Sequence, residues 1–171
     1  MERWISVALL GCFAALGTTS LAAGNGSLPA ADHFALMQRG KYLVAYGACN
    51  DCHTPRWRES DGKTPTSDWM TGSNVGFRGP WGTVYPANVR LRFQQVSEAQ
   101  WLSMVGTRGG HPPMTWHDLR SLNKGDLRAI YAFIKALGPA GVPAPIGVPP
   151  EREPTTPYFD VTPRNAKSAV L

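Results

Sequence analysis

Cysteine is scarce in this chain, and two of its three cysteines stand three residues apart with a histidine directly behind: Cys49-Asn50-Asp51-Cys52-His53. The third, Cys12, lies in an apolar N-terminal stretch, so three cysteines cannot all pair and a disulfide framework is excluded. The 171 residues suit one domain with appendages. Fifteen prolines and eighteen glycines demand a loop-rich fold. The net charge of +5 is spread along the chain without a run of like charges, which argues against a nucleic-acid-binding arm. No alternation of apolar strands with helices and no Gly-rich phosphate loop is present, so a cytosolic α/β enzyme is also disfavoured.

The pentapeptide carries the chemistry. C-x-x-C-H is the attachment signature of c-type haem. On a helical turn the two thiols fall on one side, placed to form thioethers with the two vinyl groups of one porphyrin edge. His53 follows as the proximal iron ligand. Other uses of the motif fit less well. A redox C-x-x-C needs a βαβ setting, zinc needs further ligands at short spacing, and a plain Cys49–Cys52 disulfide leaves His53 unused. The sixth iron ligand is the open question. Met114, behind Pro112-Pro113 in a loop, is favoured because a thioether raises the potential and fills the distal site. Met70 and the histidines His111 and His117 remain alternatives, whereas Met37 and Met104 fall in helical segments where methionine fills core. Trp57, Trp69, Trp81, Tyr85 and Trp116 are expected to line the haem or the core, with Arg78 or Arg90 as further donors to its propionates.

Residues 1–22 read as a secretory signal: Arg3 in the n-region, an apolar stretch from Ile5 to Leu16, and Ser20-Leu21-Ala22 as a small-x-small cleavage site. Gly11, Gly17 and Thr18 to Ser20 dilute the stretch too much for a good membrane span, leaving an uncleaved anchor and a lipoprotein signal at Cys12 as lesser readings. An exported, periplasmic protein follows. The architecture expected is all-α: a small helical domain over residues 32–137 around one haem, and a proline-rich tail over 138–171 that holds eight of the fifteen prolines. Asp32 is expected to cap a first helix with Gly40, Leu43, Val44 and Gly47 on one face. Thr54 to Val96 reads as ordered loop rather than sheet, and Thr107 to Leu122 as loop. Ser97-Glu98-Ala99-Gln100 is a capping box, and Asn123 caps an amphipathic helix ended by Gly138-Pro139. Whether the tail wraps the domain or stays free is not decided by pattern.

Taken together, Arg39-Gly40-Lys41-Tyr42-Leu43-Val44 before the pentapeptide, Tyr85-Pro86-Ala87-Asn88 after it, and Met114 leading into Asp126 to Phe133 resemble the class I cytochrome c family. They are similar to the haem modules in cytochrome subunits of bacterial membrane-bound alcohol and sugar dehydrogenases, over residues 36–138. Those subunits usually carry three attachment motifs, and this chain has one. The resemblance implies a monohaem electron carrier with haem c on Cys49, Cys52 and His53 and with Met114 as sixth ligand. It implies redox partner proteins, a dehydrogenase as donor and an oxidase or another cytochrome as acceptor. It further implies that the helix before the motif crosses the C-terminal helix at Gly40 against Tyr131 or Leu127. Lys41, Arg56, Arg58, Arg78 and Arg108 are candidates for steering an acidic partner. A haem enzyme or gas sensor with an open sixth site, and a haem subunit docked through its tail, are the competing functions.

Overall fold

The computed structural model describes residues 30–163. The signal-peptide reading of residues 1–22 lies outside them. No described helix is long and apolar enough to cross a membrane.

Two helices build the frame. α1 spans Ala30–Tyr46 and α6 spans Lys124–Ala136, and they pack across each other more extensively than any other pair of elements. The crossing is close because Gly40 has no side chain. A Cβ there would lie 2.6 Å from the Ala129 carbonyl carbon and 2.7 Å from Phe133 Cβ. The expected glycine contact is therefore real, but its nearest partners are Ala129 and Phe133. Tyr131 turns away, its ring against Phe93 and its hydroxyl donating to the Val96 carbonyl at 2.8 Å. The core gathers Leu43 and Val44 of α1, Leu127, Ile130, Phe133 and Ile134 of α6, and Trp69, Phe93, Trp101 and Val105 from the segments between.

Two of the three expected caps form. The Ser97 hydroxyl accepts from Gln100 N, and the Gln100 side chain accepts from Ser97 N at 2.8 Å, opening α4 (Glu98–Thr107). Asn123 Oδ1 accepts from Asp126 N at 2.8 Å, opening α6, which ends as Gly138 turns to φ +69°. Asp32 is not a cap: α1 begins at Ala30 and Asp32 sits in its first turn, where a carboxylate favours the helix dipole. Tyr42 is 54% exposed and stacks on Tyr46 at 5.5 Å.

The fold is mostly helical but not all-α. The stretch expected to be loop contains a hairpin, β1 (Gly76–Gly79) and β2 (Gly82–Val84), and a six-residue helix, α3 (Val89–Gln94), capped by Asn88. The loop before the last helix likewise holds α5 (His117–Ser121). The tail wraps the domain. Its strand β3 (Tyr158–Asp160) pairs parallel with β1, giving a sheet of order β2-β1-β3. Upstream, Val148 exchanges two backbone hydrogen bonds with Thr83, at 2.7 and 2.9 Å. Arg78 then donates to the carbonyls of Pro150 and Arg152 and to Glu153. Proline supplies no N–H, so a proline-rich segment docks through its carbonyls, and an arginine fork is the matching donor.

One ion pair joins α1 and α6 directly. Arg39 Nε and Nη2 donate to the Asp126 carboxylate at 2.8 and 3.2 Å, and Asn123 Nδ2 adds a third bond. The Arg39 bond is the main reason that the Asp126 carboxyl is held below its usual range. A carboxylate with a depressed folded pKa stabilises the fold above its unfolded pKa, and that contribution is lost as pH falls through the folded value. Asp126→Asn should therefore be less stable than wild type at neutral pH and lose less on acidification. Denaturant midpoints measured from neutral to acid pH check this, and parallel curves would contradict it.

Candidate functional site

Cys49, Cys52 and His53 share one short helix, α2 (Cys49–His53), docked against α1. Ala48 opens it at φ +55°, turning the chain sharply out of α1. The two thiols are three residues apart, so helical geometry puts them on neighbouring positions of one face. Both are free and both are partly buried. Burial pushes the Cys49 thiol up to about 11 and raises Cys52 as well. A redox dithiol needs a lowered thiol pKa. These thiols go the other way and stay protonated at neutral pH.

His53 is held from two sides. Its own carbonyl accepts from Gly72 N at 2.8 Å, and its Nδ1 lies 2.8 Å from the Ala87 carbonyl oxygen. A carbonyl only accepts, so Nδ1 carries the proton and Nε2 keeps its lone pair. Burial lowers the His53 pKa, with the Ala87 bond opposing it, and the neutral ring results. A neutral imidazole whose Nδ1–H is tied to a backbone carbonyl is how a metal-binding histidine is oriented and its donor strength raised. Beneath it, Asn50 is fully buried. Its Oδ1 accepts from the Thr54 hydroxyl at 2.7 Å, and Thr54 Oγ1 in turn accepts from Met70 N at 2.9 Å. This chain of bonds ties α2 to the Met70 loop.

Met114 lies on a different segment from that cluster. It is 41% exposed in the loop between α4 and α5, where every residue from 108 to 114 is exposed. Of the other candidates, Met70 is core, 4% exposed, with its carbonyl accepting from Val89 N and Arg90 N. Met104 packs against the core. His111 stacks flat on Trp81 at 5.1 Å, and His117 lies between the Thr115 hydroxyl and the Asp118 carboxylate. Among the described residues, no three of His, Cys, Asp and Glu cluster to hold an ion. Two clefts on the described surface, one along Arg56, Lys63 and Asp68 and another along Arg92, Gln100 and Met104, are lined by none of Cys49, Cys52, His53 and Met114.

Several side chains do work that the sequence did not announce. Arg90, expected to reach propionates, is buried and donates to the carbonyls of Gly138, Ser67 and Leu137. Arg78 is committed to the tail in the same way. Arg58 pairs with Asp51 on α2 at 3.2 Å, and Lys41 lies over the Trp69 ring. Asn88 is buried, capping α3 with Oδ1 and donating from Nδ2 to Ala140 O and Val142 O. Trp69 Nε1 donates to Thr64 O and Trp101 Nε1 to Leu127 O, so both are core tryptophans. Trp81 differs. Its Nε1 is buried without a hydrogen-bond partner among the described residues.

Compared with known protein families, curated proteins and solved structures, the chain matches none.

The residues present fit a covalently held haem. Two free, protonated thiols lie on one helix, and the adjacent imidazole has Nδ1 engaged and Nε2 available.

Proposed function

We propose that the chain is a periplasmic monohaem c-type cytochrome, a one-electron carrier. Cys49 and Cys52 would hold haem c as thioethers, His53 Nε2 would be its proximal ligand, and Met114 would supply the sixth. The group supplies reversible Fe(III)/Fe(II) chemistry, and no substrate is turned over. The partners are redox proteins, a dehydrogenase as donor and an oxidase or another cytochrome as acceptor. The observation that carries this reading is the bond from His53 Nδ1–H to the Ala87 carbonyl, beside two free thiols on the same helix. A histidine kept neutral, with its outward nitrogen left free by a backbone bond, is prepared as a ligand. The chain's own contribution is to place both sulfurs on one short helix and to tie the His53 ring through Nδ1.

The competing reading is an open or displaceable sixth site. The docked-subunit reading gains nothing from Val148, Pro150 and β3, which are engaged by the chain's own hairpin.

Met114→Ala separates the first two. In the oxidised wild type, thioether ligation gives a weak charge-transfer band at the red end of the visible spectrum. That band should vanish in the variant, while covalent haem is retained. A wild type that lacks the band and binds carbon monoxide rapidly when reduced has an open site, which overturns the carrier assignment.

A further inference from the structure

The carbonyl that holds His53 belongs to a segment whose neighbours grip the tail. Within five residues, Pro86 O accepts from Ser73 N at 3.1 Å and Ala87 O accepts from His53. The Asn88 side chain then donates to Ala140 O at 2.7 Å and Val142 O at 3.1 Å, and Arg90 donates to Leu137 O and Gly138 O. Asn88 and Arg90 are both 5% exposed. Buried donors require acceptors, and here the start of the tail provides three, with Leu137 at the end of α6 as the fourth. The tail seats closely at this point. Gly141 stands at φ +71°, and a Cβ on it would meet Asn88 Nδ2 and Thr71 Cβ, each at 3.1 Å.

Tail and histidine therefore act on the two sides of one backbone segment. Displacing residues 140–142 removes both acceptors of Asn88 Nδ2 and uncovers the side chain, and the segment relaxes to new partners. Ala87 is the adjacent residue, and its carbonyl moves with the peptide plane that it shares with Asn88. The distance and angle to His53 Nδ1 change with it.

We propose that the C-terminal tail is a strap that sets the orientation and donor strength of His53, with Asn88 as the positioning residue that transmits it through the Ala87 carbonyl. The inference rests on the haem reading for its consequence, but the coupling itself is a property of the polypeptide. A weaker Nδ1–H bond makes the imidazole a poorer donor, which disfavours the ferric state and raises the potential.

Two variants strike the contact from opposite sides. Asn88→Ser keeps an oxygen for the Leu91 N–H, since serine caps helices as well as asparagine, and removes both donors to the tail. Gly141→Ala leaves Asn88 intact and pushes the tail away from it. Phe159→Ala, which removes only the packing of β3 on Phe77, serves as the comparison. Two readouts are taken on the full-length chain: the midpoint potential, and the exchange rate of the His53 Nδ1 proton by nitrogen-15 NMR in the reduced protein. Asn88→Ser and Gly141→Ala should each raise the potential and speed the exchange. The double variant should match either single one, because both break the same contact. Phe159→Ala should loosen the tail's end to proteolysis and leave both readouts at wild-type values. The proposal is overturned if the two variants lower thermal stability while potential and exchange stay unchanged, or if their effects add in full. The exchange rate is readable whether or not the chain carries haem. Absence of haem sinks the proposed function, and an unchanged exchange rate sinks the strap.

Discussion

Gly40→Val is expected to be the most damaging single substitution in the helical frame. Its Cβ meets the Ala129 carbonyl group and Phe133 Cβ, and two of those atoms are backbone, which cannot rotate away. α1 and α6 must separate to admit the side chain. That loosens the burial of Val44, Ala129 and Ile134, each 1% exposed or less. Overpacking of a tight core costs about 1–3 kcal/mol and more when backbone must move. The upper part of that range is expected here, a large share of the stability of a domain this size. Gly106→Val is a useful contrast, because nothing lies within 4 Å of a Cβ there. It should change stability by at most about 0.5 kcal/mol and in the stabilising direction, since valine replaces the poorest non-proline helix former. Urea unfolding of both variants measures the difference. Equal midpoints would show that the helices do not meet at Gly40.

The second large effect is chemical. Cys49→Ser with Cys52→Ser should abolish covalent attachment of haem to the exported chain, because a serine hydroxyl does not replace a thiol in thioether formation. Each single variant should keep a haem held by one bond. Its remaining vinyl group stays conjugated with the porphyrin, so the reduced absorption band moves to longer wavelength. Serine fills almost the same volume as cysteine, so α2 is expected to keep its place against α1. Spectra in alkaline pyridine, compared with the intact mass of each purified chain, measure the outcome. A double variant that still retains covalent haem would remove Cys49 and Cys52 from their assigned role.

The pentapeptide was legible because its chemistry is local: three side chains within five residues need only one helical turn to meet. Ser97-Glu98-Ala99-Gln100 and Asn123 were legible for the same reason, since a cap acts on N–H groups two or three residues away. The sheet was not. β1 and β2 have four and three residues, too few for a period to register, and β3 joins β1 from about eighty positions along the chain. Non-local pairing leaves little mark on local pattern. Arg90 misled in another way. It reads as a donor to propionates, and nothing local announces the carbonyls of Ser67, Leu137 and Gly138 that make its burial tolerable, or those of Ala140 and Val142 that Asn88 meets. The α3 cap was readable in principle, since Asn88 is followed by the apolar pattern of Val89 and Phe93 at i and i+4. At the candidate site the identity of the three α2 residues came from sequence, while the carbonyl that orients His53 came only from the fold.

The most direct test of the central claim is the intact mass of the mature exported chain after acid–organic denaturation, recorded with its visible spectrum. The account predicts that the polypeptide carries the mass of one haem, remains coloured, and shows no free thiol. A colourless chain at the mass of the bare polypeptide, with both Cys49 and Cys52 titrating as thiols, would contradict it.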